Sequence, residues 1–389
     1  MHPPVYLDYH ATTPVDPRVL EAMLPYFSER FGNAASRSHR FGWEAEKAVE
    51  QARRRIAALA GALPREIVFT SGATESVNLA LKGVMEAYRQ RGNHLITMAT
   101  EHKAVLDTVR RLERSGFAVT VLPCRPDGLL DPDCLERALR PATVLVSLMH
   151  ANNEIGTIQP VAAVGELCRR HGVLFHCDAA QSFGKVPVNV AADKIDLLSV
   201  SGHKIYGPKG VGALYVRRQR GAVALAAQMD GGGHESGFRS GTLNVPAIVG
   251  FGEACSIAAS AMNTEAARLG KLRSRLLERL FGTLVGVALN GTMEHRLAGN
   301  LNLRFEGIDA EALLMSMPDI ALSTGSACSS ASVEPSHVLR ALGLSEAEAR
   351  SSVRVGLGRF NTEEEIDYAA GRTAEAVQKL RSLSPAVHQ

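Results

Sequence analysis

Length, composition and charge limit the classes of protein to which this chain can belong. The 389 residues are 46% hydrophobic and 21% charged, an ordinary globular composition with enough chain for two domains. The 43 basic and 40 acidic residues give a formal net charge of +3, so the charge balance offers no case for binding nucleic acid or a membrane surface. We expect no apolar stretch that approaches the ~20 residues needed to span a bilayer.

The amino terminus and the cysteines indicate the compartment. Residues 1–8 lack the basic and apolar regions of a signal peptide. The 6 cysteines are scattered without a C-x-x-C pair, unlike those of a disulfide-rich secreted domain or a zinc module. We therefore expect a protein of the reducing cytoplasm that has no resident metal.

Short apolar runs alternate with amphipathic stretches between about residues 60 and 220. The runs predict buried strands at residues 67–70, 94–100, 119–122, 143–149, 173–176 and 195–200. The amphipathic stretches predict helices at residues 77–89, 103–115 and 161–171. Strands rich in Val, Ile and Leu that alternate with helices favour a mostly parallel sheet covered on both faces. Ligands of such sheets bind beyond the carboxyl ends of the strands.

After residue 250 the pattern changes to that of a smaller α+β domain. Its predicted elements are helices at 247–262 and 264–280, a strand at 299–305, a helix at 310–317, a strand at 353–357 and a closing helix at 362–383. We predict a large domain over residues 14–260 and a small domain formed by residues 1–13 and 261–389, the latter carrying a small-residue loop at about 323–333.

Three predicted strand ends carry polar groups, and each has a structural alternative. Residues 70–76 combine glycine with hydroxyl side chains, which suits a phosphate or simply caps a helix. Residues 150–156 offer amides and a carboxylate, for a turn or for a cofactor ring. Asp178 ends a buried strand, where a carboxylate needs a cation such as a pyridinium nitrogen, or caps a helix.

The fourth strand end has the strongest signal. Lys204 follows an apolar strand among serine, glycine and histidine, whereas surface lysines usually have charged neighbours. Burial lowers the pKa of a lysine, as a Schiff-base amine requires. Lys209 is a competitor, but its Pro-Lys-Gly context favours a turn. A phosphate cup, an aspartate and a lysine at successive strand ends together indicate a pyridoxal phosphate (PLP) enzyme.

Several motifs together resemble those of the IscS/NifS-type cysteine desulfurases of the class V aminotransferase family. They are residues 6–14, 70–75, 100–105, 201–207, 239–242 and 325–328, and the likeness runs from residue 5 to residue 385. The resemblance implies a homodimeric fold-type I PLP enzyme, an α/β protein with a mostly parallel seven-stranded sheet in its large domain. It also implies L-cysteine as the substrate.

The resemblance assigns roles residue by residue. Lys204 holds the cofactor as a Schiff base, and Asp178 pairs with the pyridine nitrogen. The other implied cofactor contacts are His102 stacked on the ring, Asn153 and Gln181 beside it, and Ala73, Thr74, Ser201, His203 and, from the other subunit, Thr242 at the phosphate. Arg354 binds the substrate carboxylate together with Asn153, with Arg359 as the rival arginine. His102, which from the sequence alone is a structural histidine, becomes an acid–base candidate as well.

Cys328 is the implied sulfur carrier. It lies among glycine, alanine and serine, a composition that supplies little core and predicts a mobile surface loop. The other cysteines are interpreted as core or turn residues: Cys124, Cys134, Cys168, Cys177 and Cys255. In the implied reaction Lys204 removes the substrate α-proton, and Cys328, as a thiolate, takes the sulfur as a persulfide while alanine leaves. Cys328 is also a candidate transient ligand of an iron–sulfur cluster.

Other functions remain as alternatives. An aminotransferase, a selenocysteine lyase or another fold-type I enzyme needs the same lysine, aspartate and phosphate cup, and a non-enzyme could retain the fold. Relatives of the IscS branch continue past residues 383–385 with a tail that docks the iron–sulfur scaffold protein, whereas this sequence ends at Gln389. The expected acceptor is therefore open between iron–sulfur cluster assembly, tRNA thiolation and another sulfur-transfer pathway such as DNA phosphorothioation.

Overall fold

The computed structural model describes residues 4–219, 221–324 and 335–383. Its strands are β1 (Val5–Tyr6), β2 (Ile67–Thr70), β3 (His94–Met98), β4 (Ala118–Leu122), β5 (Thr143–Met149), β6 (Leu174–Asp178), β7 (Leu197–Ser201), β8 (Gly212–Val216), β9 (Val287–Leu289), β10 (Asn300–Phe305), β11 (Ile320–Ala321) and β12 (Ser352–Gly356). Its α-helices are α1 (Pro17–Met23), α2 (Pro25–Ser28), α3 (Arg40–Ala60), α4 (Ala73–Ala87), α5 (Lys103–Arg114), α6 (Pro132–Ala138), α7 (Val161–Arg170), α8 (Val245–Thr283), α9 (Ala310–Met315), α10 (His337–Ala341), α11 (Glu346–Arg350) and α12 (Glu363–Leu383).

A seven-stranded sheet forms the centre of the fold, in the order β2-β8-β7-β6-β5-β3-β4. Strands β3 to β7 pair in parallel, and β8 is antiparallel to both of its neighbours. The prediction of a mostly parallel α/β sheet is confirmed, and the six strands expected between residues 60 and 220 are all present. The antiparallel β8 requires no crossover helix, since it follows β7 through the short connection that contains Lys204 and Lys209.

Helices cover both faces of this sheet because successive strand residues point to opposite sides. In β2, Ile67 and Phe69 pack into the core with α3 and the first half of α8, whereas Val68 packs into the core with α4 and α5. Strands buried on both faces need continuous apolar sequence, and all residues of β2, β3 and β5 are buried. The polar groups are thereby displaced to the turns at the strand ends.

A second core forms around the antiparallel sheet β12-β10-β9, with α9, α12 and the second half of α8. Strand β1 pairs in parallel with β11, and the adjacent Leu7 packs into this core. Helix α8 is continuous, although the sequence indicates two helical patterns. Its buried apolar side chains up to Ile257 belong to the first core and those from Leu269 to the second, which explains why the pattern looks interrupted. The domain division at residue 260 stays a prediction, since α8 crosses it without a break.

Helix α8 also corrects the expectation about apolar stretches. Among the described residues it is long and apolar enough to cross a membrane, judged by length and composition only. However, 56% of its apolar window is buried inside the protein, where the helix packs against α3 and α12. A helix that is apolar on most sides and buried in this way is typical of the core of a large protein.

Candidate active site

A cavity of about 590 Å³ opens at the carboxyl ends of the parallel strands. The expected site residues that line it are Ala73, Thr74, His102, Asn153, Asp178, Gln181, Ser201, His203, Lys204 and Arg354. They end or follow β2, β3, β5, β6 and β7, or belong to β12. Two expected residues are not among them: Thr242 is exposed and does not line this cavity, and Cys328 lies outside the described residues.

Lys204 lies in a single 3₁₀ turn, Gly202–Lys204, directly after β7. Its half-buried ammonium group donates hydrogen bonds to the backbone carbonyls of His10 and Ala11, the latter at 2.8 Å. Its competitor Lys209 also borders the cavity but is exposed, in the turn that precedes β8. Of the two lysines, the geometry therefore favours Lys204 as the amine that would contact a ligand in the cavity.

Asp178 is the last residue of β6 and is buried. One of its carboxylate oxygens accepts a hydrogen bond from the N–H of Ala180 at 2.9 Å. Burial raises the pKa of this carboxyl, while the neighbouring His102 and Lys204 act in the opposite direction. A cationic ring nitrogen placed against the carboxylate would favour its ionised form further, so this residue fits a protonated pyridine.

His102 is the N-cap residue of α5. Its Nδ1 accepts the backbone N–H of Ala104 at 3.0 Å, so the neutral ring carries its proton on Nε2. Burial lowers the pKa of this imidazole, with Asp178 opposing and Lys204 reinforcing the shift. A neutral, flat ring fixed at the cavity wall suits stacking against a planar cofactor.

The turn between β2 and α4 forms a cup for an anion. Gly72 takes a φ of +156°, a conformation that side-chain-bearing residues rarely adopt, and a Cβ there would lie 4.0 Å from Ser201 Oγ. The first turn of α4 begins with Ala73 and Thr74, where backbone N–H groups and the helix dipole favour a phosphate. His203 borders the same cavity, and burial together with Lys204 lowers its pKa to about 4.

Arg354 lies on β12 and is one of the residues that line the cavity. It donates to Asp8 Oδ1 at 2.7 Å and to the carbonyl of Asn153 at 3.2 Å. Its Nε is buried and has no hydrogen-bond partner among the described residues. An arginine with a donor of this kind fits a further anionic ligand.

The rival Arg359 is committed elsewhere. It binds Asp16 at 2.8 Å and Glu265 at 3.0 Å, and its guanidinium lies 4.0 Å from the ring centroid of Tyr206. It does not line the cavity. Of the two arginines that the sequence leaves open, the structure therefore brings only Arg354 to the site.

The segment that precedes α1 contributes a part of the site that the sequence reasoning missed. His10 is buried; its Nδ1 lies 3.2 Å from Gln181 Oε1, and the amide of Gln181 donates to the His10 carbonyl at 2.8 Å. Burial also holds the pKa of His10 well below its usual value. A rule that looks after each strand of the main sheet could not find this segment. The dense polar run at residues 8–13 was the available signal.

A second cleft, of about 670 Å³, lies at the opposite end of the strands. It is slightly larger, and some of its charged side chains are engaged in ion pairs: Arg217 binds Asp196 at 2.6 Å, and Lys194 binds Glu166. In a parallel sheet the ligand side is the carboxyl end. We therefore identify the smaller cavity as the candidate active site.

Comparison with known proteins agrees with the fold. The family model for class-V aminotransferases matches residues 5–369. The chain therefore belongs to the class-V aminotransferase family. Enzymes of this family depend on PLP, which is the cofactor that the cup, the aspartate and the lysine fit.

The individual relatives narrow the class. The chain is 60% identical over 382 residues to the cysteine desulfurase IscS of Anaeromyxobacter dehalogenans, with 98% of this chain and 94% of the relative covered. A solved NifS-like protein superimposes with a TM-score of 0.90 at 39% identity, covering 97% of this chain and 100% of the other. The structure of SspA in complex with cysteine gives a TM-score of 0.81 at 41% identity, covering 92% and 100%. Within its family the chain is thus one of the cysteine desulfurases, as the sequence motifs predict.

Proposed function

We propose that this desulfurase binds PLP through Lys204, takes L-cysteine as its substrate and passes the sulfur to Cys328. The observation that carries the proposal is the convergence of Lys204, Asp178, His102 and Arg354 on one cavity at the carboxyl end of the sheet. Each of these residues has an ordinary structural explanation by itself. Together they offer an amine, a carboxylate, an aromatic ring and a guanidinium to a single ligand.

The cofactor fits the polar groups of the cavity. The cup at Ala73 and Thr74, with Ser201 and His203, would hold the phosphate. Asp178 would hold the proton on the pyridine nitrogen, and His102 would cover one face of the ring. When bound, PLP supplies an electron sink for charge that develops at the substrate α-carbon.

The substrate carboxylate would bind Arg354. This arginine now donates to Asp8 and to the Asn153 carbonyl, so the carboxylate has to share or replace the Asp8 contact. Lys204 Nζ would then take the α-proton, since its amine lies inside the cavity. His102, with its proton on Nε2, is the second group able to move a proton there.

Cys328 would carry out the sulfur transfer. Its thiolate forms an S–S bond with the substrate sulfur while the substrate Cβ–S bond breaks. The electron pair of that bond stays with the carbon, which takes a proton and leaves as the methyl group of L-alanine. In net terms, a thiol and L-cysteine become a persulfide and L-alanine, with no external oxidant.

The other cysteines are poor candidates for this role. None of them lines the cavity, and burial raises the pKa of Cys168 to about 12. Burial also raises the pKa of Cys177 and Cys255 well above the usual value of a thiol. A thiol that stays protonated is a weak nucleophile. These observations support Cys328 by exclusion, within the part of the chain that the structure describes.

The enzyme would act as a homodimer in a reducing cytoplasm. A run of apolar side chains is exposed around α1, α2 and the start of α3, namely Leu24, Phe27, Phe31, Phe41 and Trp43. Exposed aromatic clusters are typical of interfaces, and a second copy of the chain would cover this one. Thr242, exposed and away from its own cavity, would then reach the phosphate of the other subunit.

The persulfide would be handed to acceptor proteins, with an iron–sulfur scaffold or a thiolation protein as the classes that a desulfurase serves. The relatives named IscS support this assignment. We propose no direct nucleic acid partner, since the net charge is only +3.

Replacement of Cys328 by serine tests the proposal. We expect C328S to keep the visible absorbance of the bound cofactor and its change on adding L-cysteine, while persulfide and sulfide are no longer formed. Cys124→Ser is the matched control, because Cys124 is a half-buried thiol that does not line the cavity. Undiminished sulfide production by C328S would refute the role of this cysteine.

A further inference from the structure

The segment that contains Cys328 is flanked on both sides by residues bound to the walls of the active-site cavity. Before it, Ser323 forms an antiparallel backbone bridge with Arg354, whose N–H donates to the Ser323 carbonyl at 2.7 Å. After it, the hydroxyl of Ser336 donates to Glu154, and His337 Nε2 lies 3.0 Å from the carbonyl of Glu101. Glu154 and Glu101 are the chain neighbours of the cavity residues Asn153 and His102.

Glu154 is a firm anchor because its turn is fixed from two directions. The side chain of Asn152 accepts the N–H groups of Glu154 at 2.8 Å and of Ile155 at 3.0 Å. The carbonyl of Glu154 accepts the amides of Asn300 at 3.2 Å and Asn302 at 3.3 Å, both on β10. The carboxyl is fully buried, so a hydrogen bond from Ser336 is not exchanged readily for one from water.

We propose that the Ser336–Glu154 hydrogen bond is a positioning contact for sulfur transfer, which rests on the carrier role proposed for Cys328. Ser336 follows Cys328 by eight residues. Fixing it to the turn that carries Asn153 fixes the chain at a point eight residues beyond the thiol. The His337–Glu101 contact ties the same end to the residue before His102.

The physical advantage is effective concentration. A thiol tethered at both ends by short stretches of chain samples a small volume, and release of one end enlarges that volume and dilutes the thiol near the substrate. Sulfur transfer needs close approach of two sulfur atoms, so its rate depends directly on this concentration. Binding of L-cysteine does not depend on this concentration, because the contacts of Arg354 and Lys204 do not involve Ser336. The contact should therefore affect the transfer rate and leave substrate binding alone.

A serine variant and a matched control separate this role from helix capping. Ser336 also caps α10 by accepting the N–H of Leu339 at 3.3 Å. Ser345 caps α11 in the same manner, accepting the N–H of Glu348 at 3.2 Å, and among the described residues its hydroxyl bonds to Glu348 alone. Ser336→Ala therefore loses a cap and the Glu154 contact, whereas Ser345→Ala loses a cap and a contact inside its own helix.

The holoenzyme variants are mixed with L-cysteine, and three quantities are measured: the change in cofactor absorbance, the KM for cysteine and the single-turnover rate of persulfide formation on Cys328. For S336A we expect a transfer rate lower by about tenfold, the loss typical of a hydrogen bond to a buried acidic group. Its absorbance change and KM should stay within about twofold of the parent, and S345A should match the parent in all three. E154Q keeps an oxygen acceptor for Ser336 and should retain most of the rate.

Two results would overturn the inference. One is an S336A transfer rate equal to that of S345A. The other is a higher KM together with a smaller absorbance change, which would indicate a damaged cavity. If S336A does not fold, S336G serves in its place, because glycine is tolerated as an N-cap but lacks the hydroxyl. C328S is run in parallel. Sulfide release by C328S would refute the carrier role and this inference with it. An unchanged transfer rate in S336A would refute the inference alone.

Discussion

The two ends of the central sheet present clefts of similar volume, about 590 Å³ and 670 Å³, with opposite chemistry. At the amino end of the parallel strands, Asp196 and Arg217 form an ion pair, and Lys194 pairs with Glu166. At the carboxyl end, Lys204 faces backbone carbonyls and Asp178 faces a backbone amide. Cleft size alone would select the amino end, whereas the rule for parallel sheets selects the carboxyl end. The informative difference is whether charges are arranged to satisfy each other or to receive a ligand.

Lysine replacement at the two ends should give the largest contrast. We expect Lys204→Ala to lower alanine formation by at least about 10³-fold, because the variant loses both the cofactor amine and the proton acceptor. Visible absorbance of the purified protein should fall as well. Lys194→Ala, which removes one member of an ion pair at the other cleft, should leave both readouts unchanged. Equal activities of the two variants would contradict our assignment of the active site to the carboxyl end of the sheet.

Aspartate replacement should separate activity from stability. Asp178→Asn should lower kcat by about 10²-fold, because the ring nitrogen loses the partner that holds its proton. Asp196→Asn weakens a buried contact to Arg217 and to the N–H of Phe175, and should lower the free energy of unfolding by about 3 kcal/mol with kcat preserved. Urea unfolding and steady-state kinetics of both variants provide the check. A D178N enzyme with unchanged kcat would contradict the role of this carboxylate.

Arginine replacement sharpens the comparison within the catalytic end. Arg354→Lys should raise the KM for cysteine by about 30-fold, since an ammonium cannot bind a carboxylate bidentately, and the cofactor absorbance should persist. Arg359→Lys weakens contacts to Asp16 and Glu265, and should reduce stability while KM remains unchanged. If the larger KM effect fell on Arg359, the substrate arginine would be the one outside the cavity.

An effect confined to acid pH is expected between the two ends, at His176 in the middle of β6. Burial lowers its pKa to about 3, while in the unfolded chain it titrates near 6.5. The unfolded state thus binds more protons between these values, so stability is complete above pH 6.5 and falls as the pH drops towards 3. The slope should be about 1.4 kcal/mol per pH unit from this group. His176→Asn should flatten the slope in urea unfolding measured across that range, and an unchanged slope would exclude His176 as its source.

Much of the site could be predicted from the sequence because of the sheet itself. Buried strands are continuous apolar runs, so the polar residues that follow them stand out, as Asp178 and Lys204 do. The contributions of Asp8 and His10 could not be found that way, because they precede the sheet in the chain and reach the cavity only through tertiary packing. The choice between Arg354 and Arg359 likewise depended on partners distant in sequence, such as Glu265.

The predicted break in α8 has a similar origin. Helical periodicity reports which face is buried, and the buried face of α8 changes partner between Ile257 and Leu269. When hydrophobic periodicity is followed over short stretches of sequence, that change of partner resembles the end of a helix. The assignment of Thr242 to the other subunit remains a prediction from family resemblance, since its exposure fits that role without requiring it.

The continuity of α8 has a thermodynamic consequence. One helix of 39 residues contributes side chains to both hydrophobic cores. Unfolding of either core therefore disrupts a helix that stabilises the other core. Cooperativity of this kind favours a single heat-absorption peak on warming, in place of two separate ones. The catalytic cavity, with Asp178 beside one core and Arg354 beside the other, would then be lost abruptly at one temperature.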